Sequence, residues 1–381
     1  MNIIEKLKQE SKTRKIYVWG AWKTGEEYIR RFAREGIMVD GVIDSKKNGE
    51  FCNIKIIKPE EIAGKRNEFF IFVSIVGHKL VNKQLEKYGF QGGRDYLYEG
   101  DGIFIQSLKS EFYKDYYGNE INGCFDDCMV SLRACGKITF GNNIKIGKNV
   151  KIDVRNFSKL IIGNNVVLND NVVIKVSDAS ILKIGDNVSI KEGSRIDVFN
   201  NSVFRIYKGT IIDYSCGICV VGNSKLVFKY NCILGRFLDL YVGENAEAIF
   251  GKNTTIGPND RISVPFNAKL HCGEDCMLSY DILVRGNNGH SIFKANEKKQ
   301  SKENVILGNH VWVGMGSTLM PGTEIGDCSI VGASTLVNKK IPAHSLVVGT
   351  PCRILEEDVD WSRRDDVTEE EFMEEVKRRG F

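Results

Sequence analysis

The chain has 381 residues, 42% of them hydrophobic and 27% charged, with a formal net charge of +4 at pH 7. That length suffices for two or three domains, and so mild a charge without an aromatic-interleaved basic stripe speaks against a nucleic-acid partner. No apolar run reaches the roughly 18 residues of a membrane span, and the N-terminal "MNIIEKLKQESKTRK" lacks the apolar centre of an export signal, so a cytoplasmic protein without a membrane span is expected. Eleven scattered cysteines, an odd number, fit reduced thiols used as small apolar residues. Cys216 with Cys219, and Cys272 with Cys276, have short spacings but no paired second half, so no metal site is expected.

Residues 1–100 alternate strand and helix. "KIYVWGAWKTGEEYIRRF" reads as strand, tight turn and helix; "VDGVID" as a strand ending at Asp44; "EFFIFVSIVGH" as a strand before the helical "KLVNKQLEKYGF". The spacing predicts a small Rossmann-like α/β domain. Its turn runs from Gly20 to Gly25, but Trp22 stands where a dinucleotide fingerprint needs glycine for close approach to pyrophosphate. NAD and NADP are therefore not expected to bind. The domain resembles the N-terminal sugar-nucleotide-binding domain of some bacterial sugar N-acetyltransferases, and equally suits a docking or structural module. Residues 101–136 carry no clear repeat and read as a linker.

From Gly141 the chain keeps one period, the spacing of Gly141, Gly163 and Gly185. Phe140, Ile162, Ile184, Ile206, Phe228, Phe250 and Cys272 form one apolar column at that spacing. Parallel columns run from Ile146 to Leu278 and from Ile152 to Val284, and valine recurs from Val154 to Val264 before Gly286 breaks the series. Such a period marks a solenoid, in which each coil buries its apolar faces only by stacking on its neighbours. Steps of six with one widened polar corner predict three short strands per coil; a helix would need a period of 3.6.

The repeat stops at "RGNNGHSIFKANEKKQSKEN", an insertion placed at residues 286–304. In the register of the coils His290 falls where earlier ones carry Ser158, Ser180, Ser202, Ser224, Ala246 and Ala268. Solenoid insertions are loops on one face, often the binding face, so a histidine beside this one is a candidate for chemistry. From Leu307 six hexads follow, led by Leu307, Val313, Leu319, Ile325, Val331 and Val337.

These hexads, with "VWVG", "IGDCSIVGASTLV", "VVGTPCRIL" and "SYDILVRGNNGHSI", resemble the hexapeptide-repeat acyltransferases, in particular the maltose, galactoside and xenobiotic O-acetyltransferase branch. The strong match covers about residues 273–355. The resemblance implies a mainly β fold: a parallel left-handed β-helix over residues 137–355 behind the α/β domain. The columns alone leave the hand open, since β-crossovers are ordinarily right-handed. It further implies acetyl-CoA as donor, a homotrimer with sites between subunits, and His290 as the catalytic base. Histidine, with an unperturbed pKa near 6.5, suits removal of a hydroxyl proton during attack on a thioester. Trp312, Gly332, Ser334, Lys339, Lys340 and Arg353 match motif positions for coenzyme A, the last three as partners for its phosphates. Lys339, Lys340 and Arg353 are expected at one corner.

The expected activity is O-acetylation of a bacterial surface polysaccharide or its sugar precursor. N-acetylation of a nucleotide-linked amino sugar and a non-catalytic β-helix scaffold are the alternatives. Neither His78, His271 nor His344 is expected to be catalytic; His310 is expected on an exposed strand face, and the cysteines as inert filler. The charged tail, residues 356–381, holds a capping box of Thr368 and Glu371 and predicts a short helix.

Overall fold

The computed structural model describes residues 3–74, 79–92, 94–98, 103–108, 112–114, 119–126, 128–298 and 304–380. His78 lies outside them. Near the N-terminus, the buried strands Lys15–Trp19 and Phe69–Val73 pair in parallel at the centre of a sheet. Gly41–Ile43 and Ile54–Ile57 extend it on one side, Tyr96–Tyr98 on the other. The helices are Ile3–Glu10, Lys23–Arg34 and Lys79–Lys87. Strands Glu50–Phe51 and Ile54–Ile57 form an antiparallel hairpin that the residue pattern did not announce.

Three long sheets make the solenoid, with 11, 12 and 11 strands among the described residues. Each strand pairs in register with its equivalent in the next coil: Ile152 with Ile174, Ile174 with Ile196, Leu168 with Ile190. The apolar columns point inward as the period requires; along the axis Phe204 meets Phe228 edge-to-face at 5.9 Å, and Phe228 stacks on Phe250 at 4.7 Å. The widened corners turn through left-handed backbone at Asn156, Phe157, Asp178, Ala179, Asn200 and Asn201. Past the insertion the coils shorten, with Val305 beside Thr323.

The stack starts earlier than the linker reading allows. Glu120–Asn122 and Met129–Arg133 already pair in parallel with Lys137–Phe140 and Lys151–Arg155. At this end Ile103–Ile105 closes the first sheet antiparallel and Phe112–Lys114 closes the second. At the far end Arg353–Glu357 returns antiparallel on Ser345–Val348. Antiparallel end strands fill hydrogen bonds that an open parallel edge would leave exposed. The tail then ends in the helix Glu369–Arg379, capped by Thr368 and Glu371 with Gly380 in left-handed conformation.

The α/β unit docks sideways on the first coils. Phe157 has φ 64°, costly for an aromatic residue, and its ring lies under the Arg31 guanidinium at 3.1 Å from the centroid. Arg31 Nη1 also donates to Asn156 O at 3.3 Å. Ala134 and Cys135 complete the contact by joining the α/β core.

Asp260 places a carboxyl among these apolar columns. Asp260 is fully buried between Leu238 and Ile282 of its column, and its oxygens accept from Ile282 N at 2.7 Å and Gly257 N at 3.1 Å. Burial raises its carboxyl from the ordinary 3.8 to about 8, and the two backbone bonds do not offset that. The core thus holds the neutral acid. Because the folded pKa exceeds the unfolded one, this contribution to stability is complete below about pH 4 and is lost as pH rises toward 8. Urea midpoints should therefore fall across that window in the native chain and much less in Asp260→Leu, which restores the apolar column. Equal slopes in both would refute the assignment.

Candidate functional site

The interruption of the solenoid is set by one glycine. Gly286 still bonds in register, its N–H donating to Ser263 O at 2.8 Å. A Cβ there would lie 2.8 Å from the Ala268 Cβ, so a valine, as in earlier coils, does not fit the bend. The chain leaves at residue 287 and returns at Asn304, whose N–H donates to Gly286 O at 3.1 Å. Asn287 pins the exit, donating to Phe266 O at 3.0 Å and accepting from Gly289 N at 2.8 Å. Phe293–Lys294 and Glu297–Lys298 form a small hairpin within the excursion.

His290 is exposed at the root of this loop, next to Gly289, which has φ 74°. It does not replace the buried small residue of the earlier corners. The register is resumed by Asn304, whose side chain accepts from Lys269 N at 2.9 Å, as Leu270 pairs with Val305. Counting one coil on from Ala268 reaches His290 only because the insertion begins before the corner does. No side-chain hydrogen bond occupies the His290 ring nitrogens among the described residues, so the imidazole has both available for substrate.

His310 is the opposite case, and the expectation of an exposed strand residue fails. It is buried at a corner with φ 53°. Nδ1 faces Asp275 Oδ2 at 2.7 Å, and Nε2 faces Trp361 O at 2.8 Å. The ring stacks on Trp361 at 4.0 Å, and that indole donates to His310 O at 2.8 Å. Arg363 adds bonds to Asp275 Oδ1 at 2.9 Å and Cys276 O at 2.9 Å. Burial pushes the Asp275 carboxyl up, but the bonds from His310 and Arg363 prevail and hold it below its usual range. Trp361 and Arg363, missed in the sequence, belong to a charged tail whose docking no local pattern announces. Of the remaining histidines, His271 pairs with Glu247 at 2.9 Å on a solenoid face, and His344 bonds Val359 O at 3.1 Å.

The candidate coenzyme A residues are spread around the solenoid. Trp312 lies on the third sheet and donates to Ser279 Oγ at 3.1 Å. Gly332 and Ser334 occupy the turn after that sheet, Ser334 with φ 55°. Arg353 begins the closing strand of the same sheet, opposite Val348. Lys339 follows the first-sheet strand Leu336–Val337, and Lys340 is on the second sheet, bonded to Glu324 at 2.7 Å. One chain thus does not gather the two lysines and Arg353 at a single corner, because a solenoid strand and the next strand in sequence face different sides.

The short cysteine spacings are also resolved by the fold. Cys216 is buried with its thiol pushed up to about 11 by desolvation, whereas Cys219 lies half-buried on the outer face of its strand. Cys272 and Cys276 are both in the core, and Cys276 Sγ donates to Gly308 O at 3.1 Å. In the α/β unit the Asp44 carboxylate accepts from the N–H groups of Ala21, Lys46 and Lys47 at 3.0, 2.8 and 2.9 Å. It is occupied by its own chain, and Trp22 is half exposed over Lys47.

Residues 304–339 match the family model described as bacterial transferase hexapeptide (six repeats). The chain is 30% identical over 114 residues to the polysialic acid O-acetyltransferase of Escherichia coli O1:K1 / APEC, covering 29% of this chain and 37% of that protein. The galactoside O-acetyltransferase of Escherichia coli (strain K12) is 32% identical over 87 residues, 22% of this chain and 42% of its own length. The chain thus spans less than half of either relative. A solved structure of the polySia-specific acetyltransferase NeuO has 21% identity and a TM-score of 0.35, covering 68% of this chain and 99% of that one. Among the described residues no helix is long and apolar enough to cross a membrane.

His290, inside the insertion, and His310, just after it, should separate by experiment. His310→Ala removes partners from Asp275 and Trp361 O inside a dry corner, at a cost of about 1–3 kcal/mol. Urea unfolding should show that loss in His310→Ala and almost none in His290→Ala. A His310 variant of native stability would contradict the buried arrangement.

Proposed function

We propose that the protein is an acetyl-CoA-dependent O-acetyltransferase acting on a bacterial surface polysaccharide or its sugar precursor. The observation that carries this reading is the exposed His290 with both ring nitrogens available, held at the exit of a loop just before the hexapeptide coils. The names of the two relatives, a polysialic acid and a galactoside O-acetyltransferase, support both the reaction and the sugar acceptor.

In the proposed reaction His290 takes the proton of an acceptor hydroxyl as its oxygen attacks the thioester carbonyl. The tetrahedral oxyanion is stabilised by N–H donors at the site. The intermediate then expels the coenzyme A thiolate, which takes up a proton. Rigid coils fix the root of the loop, while its tip is long enough to follow a bulky acceptor. Trp312, Gly332, Ser334, Lys339, Lys340 and Arg353 are the proposed coenzyme A residues. Their distribution over several faces supports a site formed between copies, as in a homotrimer: one copy offers the third sheet, its neighbour the corner bearing the loop.

His290→Ala should lower kcat by about 10²–10⁴ while leaving assembly and coenzyme A binding intact. Free-thiol release from acetyl-CoA with a panel of glycans and sugar nucleotides measures it. Near-native turnover would remove His290 from the mechanism, and a response confined to amino-sugar nucleotides would replace O-acetylation by N-acetylation.

Arg353→Ala and a Lys339/Lys340 double alanine test the phosphate contacts separately. A remote phosphate is held equally in ground and transition states, so the loss should appear in KM, about 1.5–3 kcal/mol per contact. It should be larger for acetyl-CoA than for its 3′-dephospho form. Arg353 and the lysines stand on different sheets, so either variant alone can meet this criterion. Equal losses toward both donors would exclude the altered residue.

A further inference from the structure

One corner of the solenoid changes its chemistry along the axis. The residue three places beyond the end of each second-sheet strand, from Lys137–Phe140 onward, has positive φ: Asn143, Asn165, Asn187, Gly209, Asn231 and Asn253, then Asp275, His310, Cys328 and His344. Asparagine, aspartate and glycine suit this left-handed backbone, and the asparagines also bond one another, Asn143 to Asn165 at 2.8 Å and Asn165 to Asn187 at 3.1 Å. Cysteine has no such affinity for it. The C-terminal tail lies along Asp275, His310, Cys328 and His344, and Arg363 reaches one coil further to Asn253 O at 3.2 Å. Val359 N donates to His344 O at 3.0 Å, and Trp361 stacks on His310.

At the end of this column three ligand-type side chains converge. Cys328 Sγ, a ring nitrogen of His344 and a carboxylate oxygen of Asp360 all lie within 4.8 Å of one another. Tetrahedral zinc with bonds of about 2.0–2.3 Å sets its ligands about 3.3–3.8 Å apart, so contraction by up to about 1.5 Å completes the geometry. His344 is exposed and can supply that movement. Its Nδ1 lies 3.1 Å from Val359 O, which can only accept, so the neutral ring keeps its proton there and offers Nε2. Asp360 takes Arg379 Nη1 and the Trp361 N–H on Oδ1 at 3.0 and 2.7 Å, and Arg379 Nη2 on Oδ2 at 3.0 Å. A carboxylate has about four lone-pair sites, so one remains on Oδ2. Arg379 orients the carboxylate and offsets part of its charge; a thiolate ligand restores the negative balance that a dication needs.

We propose that Cys328, His344 and Asp360 bind a divalent cation of the zinc class, which staples the C-terminal tail to the last coils. Sulfur, nitrogen and oxygen ligands in tetrahedral array select zinc over magnesium or calcium. Binding replaces the thiol proton: the S–H bond breaks, the sulfur–metal bond forms, and the proton passes to solvent. The fourth position is taken by water. Without metal, burial and the neighbouring Asp360 push the Cys328 thiol up to about 11, which disfavours a reactive nucleophile or redox sensor at neutral pH.

The test uses the full chain, reduced and stripped with chelator, titrated with cobalt(II) as a spectroscopic stand-in. One cobalt per chain should bind with a near-ultraviolet thiolate-to-cobalt charge-transfer band, and zinc should displace it. Cys328→Ala should abolish the band, and His344→Ala should weaken cobalt binding by about tenfold or more. Zinc should raise the melting temperature of the native chain and not that of His344→Ala. Cys328 is buried, so its variant can fail to fold; His344 is exposed, and its variant decides the question in that event. Absence of the band in the native chain, its persistence in Cys328→Ala, or unchanged affinity in His344→Ala would overturn the proposal.

Discussion

A coil of this solenoid cannot satisfy its own backbone. Each short strand sends its hydrogen bonds to the coil before and the coil after, and its apolar side chains meet partners only along the axis. Ile152, Ile174 and Ile196 are adjacent because the register is kept, not because a local segment folds. A one-residue slip in a strand would turn its buried side chains outward. The chain can therefore depart from the stack only at corners, where backbone bonds are fewest. Gly286 marks such a departure: in register through its N–H, and too confined for a side chain.

The same dependence makes the two ends and the flank the places where other chain segments attach. The ends are closed by antiparallel strands, Ile103–Ile105 and Phe112–Lys114 on one side and Arg353–Glu357 on the other. The flank is engaged twice through corners. Phe157, in strained backbone, seats the α/β unit under Arg31. His310, Asp275 and Cys276 seat the tail through Trp361 and Arg363. In each case a corner residue unlike its column marks the attachment.

That rule explains what was legible in the sequence. The columns, the three strands per coil and the hexads follow from strict periodicity, and the tail helix from Thr368 and Glu371. His290 was singled out by the break, but its setting was misjudged: the count along the coils placed it in a corner that Asn304 actually borders. His310 was misjudged because its environment comes from Trp361, far along the chain in the tail. The hairpin at Glu50–Phe51 and Ile54–Ile57 is too short for an alternating pattern to stand out. The four unlike corner residues were visible in the sequence, yet their meaning depends on knowing that the tail lies over them.

Two histidines, one within the insertion and one just after it, thus acquire opposite chemistry from their surroundings. A general base needs a nitrogen lone pair facing substrate and a ring free to adjust as the proton moves. Both ring nitrogens of His310 face protein acceptors, its ring is clamped on an indole, and releasing it would unseat the tail. His290 has no such obligations, and the loop that carries it departs from a rigid root at Gly286. Rigidity at the root and availability at the ring are separate requirements. The stack supplies the first by its register, and the insertion supplies the second by leaving that register just beyond Gly286.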